Sequence, residues 1–269
     1  MSGNFLPLST PVRVNTFASE NQGRPKLVAL NDGGHVVLWV SEEQDTSGTG
    51  IFGQRYDAFG RKVGVEFQVN SGLGGDQRNH SVTQLENGSF VAVWESYGQD
   101  GSRFGVCMRL FNASGIPMGS EVLVNNETIG SQYMPYVSSL ENGGFVISWI
   151  NPNDDSYIDS TTGLPVQLWD ADAIRLQRFT STGTEVGPEV VLGDATNYRY
   201  LSINPYSSYQ TGQEGCFTVS TSDGGHAVFY WGTQYQVVDG APDLYNKTQN
   251  HFFQKFDSNG SAVATPIDL

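Results

Sequence analysis

Apolar residues fall in short runs cut by Asn, Gly, Ser and Asp, and the clearest stretch is Ser81–Asn125. It reads SVTQL, the turn ENGS, FVAVWES, a polar loop YGQDGSRFG, VCMRLF, the turn NASG, and EVLVN. Partial alternation within runs of this length predicts consecutive antiparallel strands, four of them here, joined by turns whose residues favour tight chain reversal.

The stretch is one copy of a repeat. Trp39, Trp94 and Trp149 lie 55 residues apart, as do Gln22, Gln77 and Gln132, and Asn15, Asn70 and Asn125. A looser fourth copy, VSTSDGGHAVFYW, ends at Trp231 and matches VALNDGGHVVLW ending at Trp39 with one residue added. A strand-built repeat of this length points to propeller blades. The expected fold is therefore all-β, a four-bladed β-propeller in one domain spanning 1–269, with four antiparallel strands per blade. The repeats cover roughly 11–66, 67–121, 122–189 and 190–269.

The fourth strand of the repeat occurs five times, as PVRVN, EFQVN, EVLVN, EVVLG and TPIDL. A closed ring needs four, so either the first or last copy is displaced or the two share the closing blade. A clasp between the termini is the expectation, because closure protects sheet edges.

Repeats three and four are longer than the others. Phe179 follows Trp149 by 30 positions where the first two copies have 17, and further insertions fall at 195–214 and 232–249. If the strands of each repeat alternate in direction, all three insertions emerge at one end of the sheets. The turns NDGG, ENGS and ENGG and the turns DAFG, NASG, TSTG and DSNG occupy the other end. Long loops gathered on one rim of a rigid scaffold are where function concentrates.

Charge narrows the partners. Lys and Arg number 14 against 28 Asp and Glu, a net charge of −14, which argues against nucleic-acid or anionic-membrane binding. No apolar stretch is long enough to span a bilayer, so membrane insertion is not expected. The first residues, MSGNFLPLST, lack the basic and apolar regions of a signal peptide. Six N-x-S/T sequons fall mostly in predicted turns and are read as turn chemistry. Cys107 and Cys216 sit in repeats facing each other across the expected axis, too far apart to pair, and are expected as buried free thiols.

The recurrent Trp39, Trp94, Trp149 and Trp231, with Tyr56, Phe111, Phe179 and Phe256, are expected to pack between blades. Trp169 stands outside the pattern, in the insertion LPVQLWDADA, near Asp154, Asp155, Tyr157, Asp170 and Asp172. Tyr198, Tyr200, Tyr206, Tyr209, Tyr235 and Tyr245 crowd the other insertions. Exposed aromatics beside Asp, Asn and Gln suit a sugar: a flat surface for the C–H face of the ring and acceptors for its hydroxyls. The alternative is that the insertions use these aromatics for a small core of their own. The candidate ligand residues are Trp169, Asp154, Asp155, Tyr157, Asp170, Tyr198, Tyr200 and Tyr235.

Oxygen donors also gather in the loops EEQDTSG, YGQDGS and NPNDDS, where Asp45 and Asp100 are candidate Ca²⁺ ligands. None of these matches a full calcium loop, and capping of the turns is the competing reading. Gln22, Gln77 and Gln132 fit hydrogen bonding to loop backbone. His35, His80, His226 and His251 are scattered, and no catalytic motif is present. No catalytic residue is assigned, although a carboxylate pair such as Asp154 and Asp172 could serve a glycosidase.

GGFVISW, WESYGQDGSRFG, GQRYDAFG, VGVEFQVN and the Gln and Pro of SQYMPYV resemble a tandem repeat of large bacterial secreted and surface proteins, many of them calcium-binding or adhesin-like. The resemblance covers repeats one to three and part of repeat four. It implies a propeller and a secreted or cell-surface setting, with no defined activity. The Gly/Asp-rich nonapeptides that bind calcium in such proteins are missing, so calcium does not come with it. The leading expectation is a non-catalytic, lectin-like module recognising carbohydrate or a cell-surface glycan in adhesion. A structural or protein-interaction propeller and a glycoside-active enzyme are the alternatives.

Overall fold

The computed structural model describes residues 11–72, 74–153, 156–158, 165–167, 171–192, 201–202, 216–238, 241–263 and 267–268. For 152–153, 156–158, 165–167, 171–173, 201–202, 231–238, 241–251 and 267–268 the backbone alone is described. The described residues contain no helix; the chain is all-β.

Each repeat folds into an antiparallel sheet. The first contains β1 (Gln22–Ala29), β2 (His35–Glu42), β3 (Thr49–Tyr56) and β4 (Lys62–Gln68), in that order. The second contains β5 (Gln77–Gln84), β6 (Phe90–Tyr97), β7 (Phe104–Phe111) and β8 (Val122–Leu123). In the third, β9 (Tyr133–Ser139) and β10 (Phe145–Asn153) continue to β13 (Ala171–Phe179) and β14 (Glu185–Leu192). A separate hairpin, β11 (Ser156–Ile158) with β12 (Pro165–Gln167), lies between β10 and β13 in sequence. The fourth sheet has β15 (Leu201–Ser202) and β16 (Phe217–Ser220), both paired with β17 (His226–Val238), then β18 (Ala241–Phe256) and β19 (Ile267–Asp268).

The sheets stack face to face with their first strands converging. β1 meets β5, β5 meets β9, and β9 meets β16. This is the arrangement of propeller blades, and each gap between neighbours holds an apolar core. Leu30, Val36, Leu38 and Ile51 of sheet one pack with Phe90, Trp94, Cys107 and Phe111 of sheet two. Val91, Val93 and Val106 of sheet two pack with Phe145, Trp149 and Phe179 of sheet three. Val146, Ile150 and Ile174 of sheet three pack with Val228, Tyr230, Phe252 and Phe256 of sheet four. The recurrent aromatics thus fill the wedges, as expected for Trp94 and Trp149; Trp39 is buried too, and the side chain of Trp231 lies outside the described residues.

One cross-strand pair recurs in every sheet. The rings of His35 and Tyr56, Phe90 and Phe111, Phe145 and Phe179, and His226 and Phe256 stack with centroids 4.7–5.1 Å apart. The turn before the pair explains the two adjacent glycines of sheets one, three and four. Gly33, Gly143 and Gly224 take φ of 80–82°, a left-handed conformation natural to glycine. A Cβ on Gly34, Gly144 or Gly225 would come within 2.1–2.4 Å of a carbonyl oxygen across the hairpin.

The expected clasp between the termini does not form: the first copy of the fourth strand is displaced, and the last copy alone completes sheet four. The C-terminal copy of the fourth strand, β19, pairs with Phe252 and Phe253 of β18, whereas 11–15 form no strand. The N-terminal copy is nonetheless anchored. Thr16 N donates to Glu66 Oε2 at 2.7 Å, as Ser71 N does to Glu121 and Asn126 N to Glu189 at 3.4 Å. Residues 15–16 therefore contact sheet one as 70–71 contact sheet two. The one available edge of β18 is taken by β19, which leaves 11–14 without a ladder.

Candidate ligand site

The alternating strand directions bring all three insertions to one end of the sheets, and the described parts are built from strand. β10 and β13 stay paired as far as Asn153 and Ala171. The 232–249 insertion is not a loop: β17 and β18 run on as a two-stranded ribbon to Val238 and Ala241, with Leu201 and Ser202 paired to its edge at Gln234 and Thr233. A ladder supplies hydrogen bonds that a long loop would have to find elsewhere. Trp169, Asp154, Asp155, Asp170, Tyr198 and Tyr200 lie outside the described residues. Tyr157 is placed in β11 opposite Val166, and Tyr235 in β17 opposite Lys247, by backbone alone.

The same end carries a hydrogen-bonded node that repeats between sheets. Asn70 Oδ1 accepts from Ile51 N at 2.8 Å, and its Nδ2 donates to Gln77 Oε1 at 2.8 Å and to Gly72 O at 2.8 Å. Asn125 does the same with Val106 N, Gln132 and Glu127 O at 2.7, 3.1 and 2.8 Å. Gln22, Gln77 and Gln132 in turn donate to the carbonyls of Ser19, Gly74 and Ile129, the backbone role expected of them.

Asp45 and Asp100 belong to this node. Asp45 accepts from Ser47 N at 3.3 Å, Gln68 Nε2 at 3.0 Å and Asn70 Nδ2 at 3.5 Å. Asp100 accepts from Ser102 N at 2.9 Å and Asn125 Nδ2 at 3.4 Å. A Cβ on Gly50 or Gly105 would sit 2.4 or 3.0 Å from these carboxylates, so glycine at both positions lets the aspartate lie flat on the strand. Among the described residues, no three His, Cys, Asp or Glu side chains are grouped to hold a metal ion.

Sheet two carries a further cluster, which the sequence reading missed. The carboxylate of Glu95 is fully buried. Its Oε2 accepts from Arg78 Nε at 2.8 Å, and its Oε1 accepts from Asn79 Nδ2 at 2.7 Å and from Met134 N of sheet three at 2.8 Å. The Arg78 guanidinium lies 3.9 Å from the centroid of Phe104, and Phe104 meets Tyr97 edge-on at 5.1 Å. Tyr97 is 50% exposed. Backbone strain helps to place the group: Arg24, Asn79 and Met134, equivalent residues of three first strands, all have φ of 49–55° at a bulge. Arg24 reaches Asn79 Oδ1 from sheet one.

Departure from the repeat is the signal that would have found this cluster. Where sheet two has Arg78, Glu95, Tyr97 and Phe104, sheet one has Gly23, Val40, Glu42 and Thr49. None of the latter can form an ion pair with an aromatic shelf.

Two histidines and both cysteines are buried. Burial holds the His80 imidazole down to about 4, with Lys26 and Arg24 nearby adding to it; the Leu38 backbone lies beside the ring without a well-formed hydrogen bond. His226, stacked on Phe256, is lowered by burial and by Arg178 to about 4. Cys107 and Cys216 are buried free thiols, as expected. Burial pushes Cys216 up to about 11 and Cys107 higher still.

No protein-family model matches the sequence, and no curated protein matches it. Among solved structures, the chain is similar to an endo-arabinase from Bacteroides thetaiotaomicron at 19% identity and a TM-score of 0.38, over 61% of this chain and 60% of that one. It is similar to an α-L-arabinofuranosidase from Lactobacillus brevis at 11% identity and a TM-score of 0.46, over 90% and 74% of the two chains. A protein of unknown function from Dyadobacter fermentans matches at 10% identity and a TM-score of 0.48, over 91% and 68%. The chain thus spans less than two thirds of the endo-arabinase, and likenesses this distant say nothing of its chemistry.

Proposed function

We propose that the protein is a non-catalytic recognition module that binds carbohydrate through the end of its sheets bearing the insertions, in a secreted or cell-surface setting. The observation that carries this reading is that all three insertions leave the sheets at the end where Tyr97 stands half exposed, with their described parts paired as strand. A rigid blade stack holds such a rim in place, and an exposed aromatic offers the flat apolar surface that a sugar ring needs. Trp169, with Asp154, Asp155 and Asp170 in the insertion of repeat three, would extend the same rim, Trp169 stacking and the carboxylates accepting hydroxyl protons.

A glycan array followed by thermal melts with the hits tests the reading. A ligand that binds the native state alone raises the melting midpoint by mass action. Binding to one sugar class, weakened by Trp169→Ala at unchanged stability, is the expected result. An empty array and unmoved midpoints across neutral and acidic sugars would sink it in favour of a structural or protein-binding module.

A further inference from the structure

We infer that the Arg78–Tyr97–Phe104 cluster of sheet two is a subsite for an acidic sugar, a hexuronate whose carboxylate is taken by Arg78 while its ring lies on Tyr97. The inference rests on the carbohydrate reading above and names the class of saccharide.

Arg78 is built to meet an anion. Its Nε is spent on Glu95, and its plane is seated on Phe104. Its side chain is nevertheless 37% exposed, and among the described residues neither terminal amino group has a hydrogen-bond partner. A guanidinium fixed by its inner edge, with its outer N–H groups facing solvent, matches the two oxygens of a carboxylate. Little side-chain entropy remains to be lost on binding, because the ion pair and the ring contact already hold the rotamer.

Glu95 offsets the charge of Arg78 but occupies only the inner edge of its guanidinium, so the outer donors are left for a ligand. It is fully buried and already accepts from Arg78, Asn79 and the Met134 amide. Arg24 adds a second exposed cation through Asn79. In a chain of net charge −14, Arg24 supplies the positive charge left over beside the Arg78–Glu95 pair. Tyr97 and Arg78 both rest on Phe104, one on its edge and one on its face, so a ring on the tyrosine brings its substituent toward the guanidinium. The repeat sharpens the case: packing alone is satisfied in sheet one by Gly23, Val40, Glu42 and Thr49 at the same places.

The test is calorimetric titration of the full chain with trigalacturonate and with a neutral galactose trisaccharide. Preference for the acidic sugar by tenfold or more, falling as salt rises, is expected. Tyr97→Ala, at unchanged melting temperature, should weaken trigalacturonate binding at least tenfold. Arg78→Ala strips the buried Glu95 of its partner and invites unfolding, so Arg78→Met combined with Glu95→Gln is the informative variant; it should abolish the acidic preference in a folded protein. Equal binding of the two trisaccharides overturns the subsite while leaving carbohydrate recognition standing. Acidic preference that survives both variants places the anion site elsewhere and also overturns it. Binding of neither sugar, with an empty glycan array, overturns both readings.

Discussion

Asn70 and Gln77 join the end of one sheet to the start of the next through a side-chain hydrogen bond of 2.8 Å, and Asn125 and Gln132 repeat the contact at 3.1 Å one repeat later. The asparagine also caps the third strand of its own sheet, so a single amide ties three segments together.

Asn70→Ala should therefore cost about 2–4 kcal/mol, because it leaves the buried Ile51 N–H and the Gln77 carbonyl oxygen without partners. The measurement is the chemical denaturation midpoint. Asn15→Ala, whose amide reaches Gln22 from a less buried position, should cost clearly less. Equal losses would show that the node contributes through its loop backbone and not through interior pairing.

Acid should destabilise the fold in a defined window. His80 and His226 are both held to about 4, below the ordinary imidazole value of 6.5. The folded state thus resists protons that the unfolded chain accepts. Stability is full above pH 6.5 and falls as pH drops toward 4, by about 1.4 kcal/mol per unit for each histidine that stays neutral. Carboxylates held low, Asp57 by the Arg61 amide and Asp223 by Lys255, lose their contribution only at more acid pH, below 3.8. The repeat supplies the control: Phe90 and Phe145 fill the position of His226 in other sheets. His226→Phe should fold and should flatten the decline in melting temperature between pH 6.5 and 4. A decline left intact by this substitution and by His80→Gln would place the titration in other groups.

The blades were legible because packing repeats in sequence what it repeats in space. Trp94 and Trp149, the paired rings of Phe90 and Phe111, and the glycine turns recur at fixed spacing since each wedge between sheets has the same shape. The node was half legible: the glutamines read correctly as backbone partners, but nothing in Asn70 or Asp45 alone shows that they meet. The cluster of Arg78 and Glu95 was hidden because a periodic reading rewards agreement, and these residues disagree with their counterparts. The ribbon of β17 and β18 was hidden for another reason: its polar and aromatic residues carry no turn signal that separates a long hairpin from a loop, and cross-strand pairing decides between them.

Asp45 gives a direct test of the calcium expectation. Its carboxylate already serves Ser47, Gln68 and Asn70, so Asp45→Ala should lower stability by about 1–3 kcal/mol through unpaired donors. The loss should be the same in calcium and in chelator. A wild-type melting midpoint that falls on chelation, with the fall absent in Asp45→Ala, would make Asp45 a cation ligand.

The last prediction concerns the tryptophans themselves. The indole Nε1 atoms of Trp39, Trp94 and Trp149 are all buried without a hydrogen-bond partner among the described residues. A buried unpaired donor costs about 1–3 kcal/mol, while the surrounding apolar contact of so large a side chain is worth more. Trp94→Ala removes both and leaves a cavity between sheets one and two, for a net loss of about 3–5 kcal/mol. Trp94→Phe keeps most of the contact with Phe90 and Cys107 and deletes the stranded N–H. Its cost should stay within about 1 kcal/mol, since the lost ring area and the relieved donor oppose each other. Guanidinium denaturation of the two variants decides the matter. A phenylalanine variant as unstable as the alanine one would mean that the indole N–H is paired after all, through a water enclosed between the sheets.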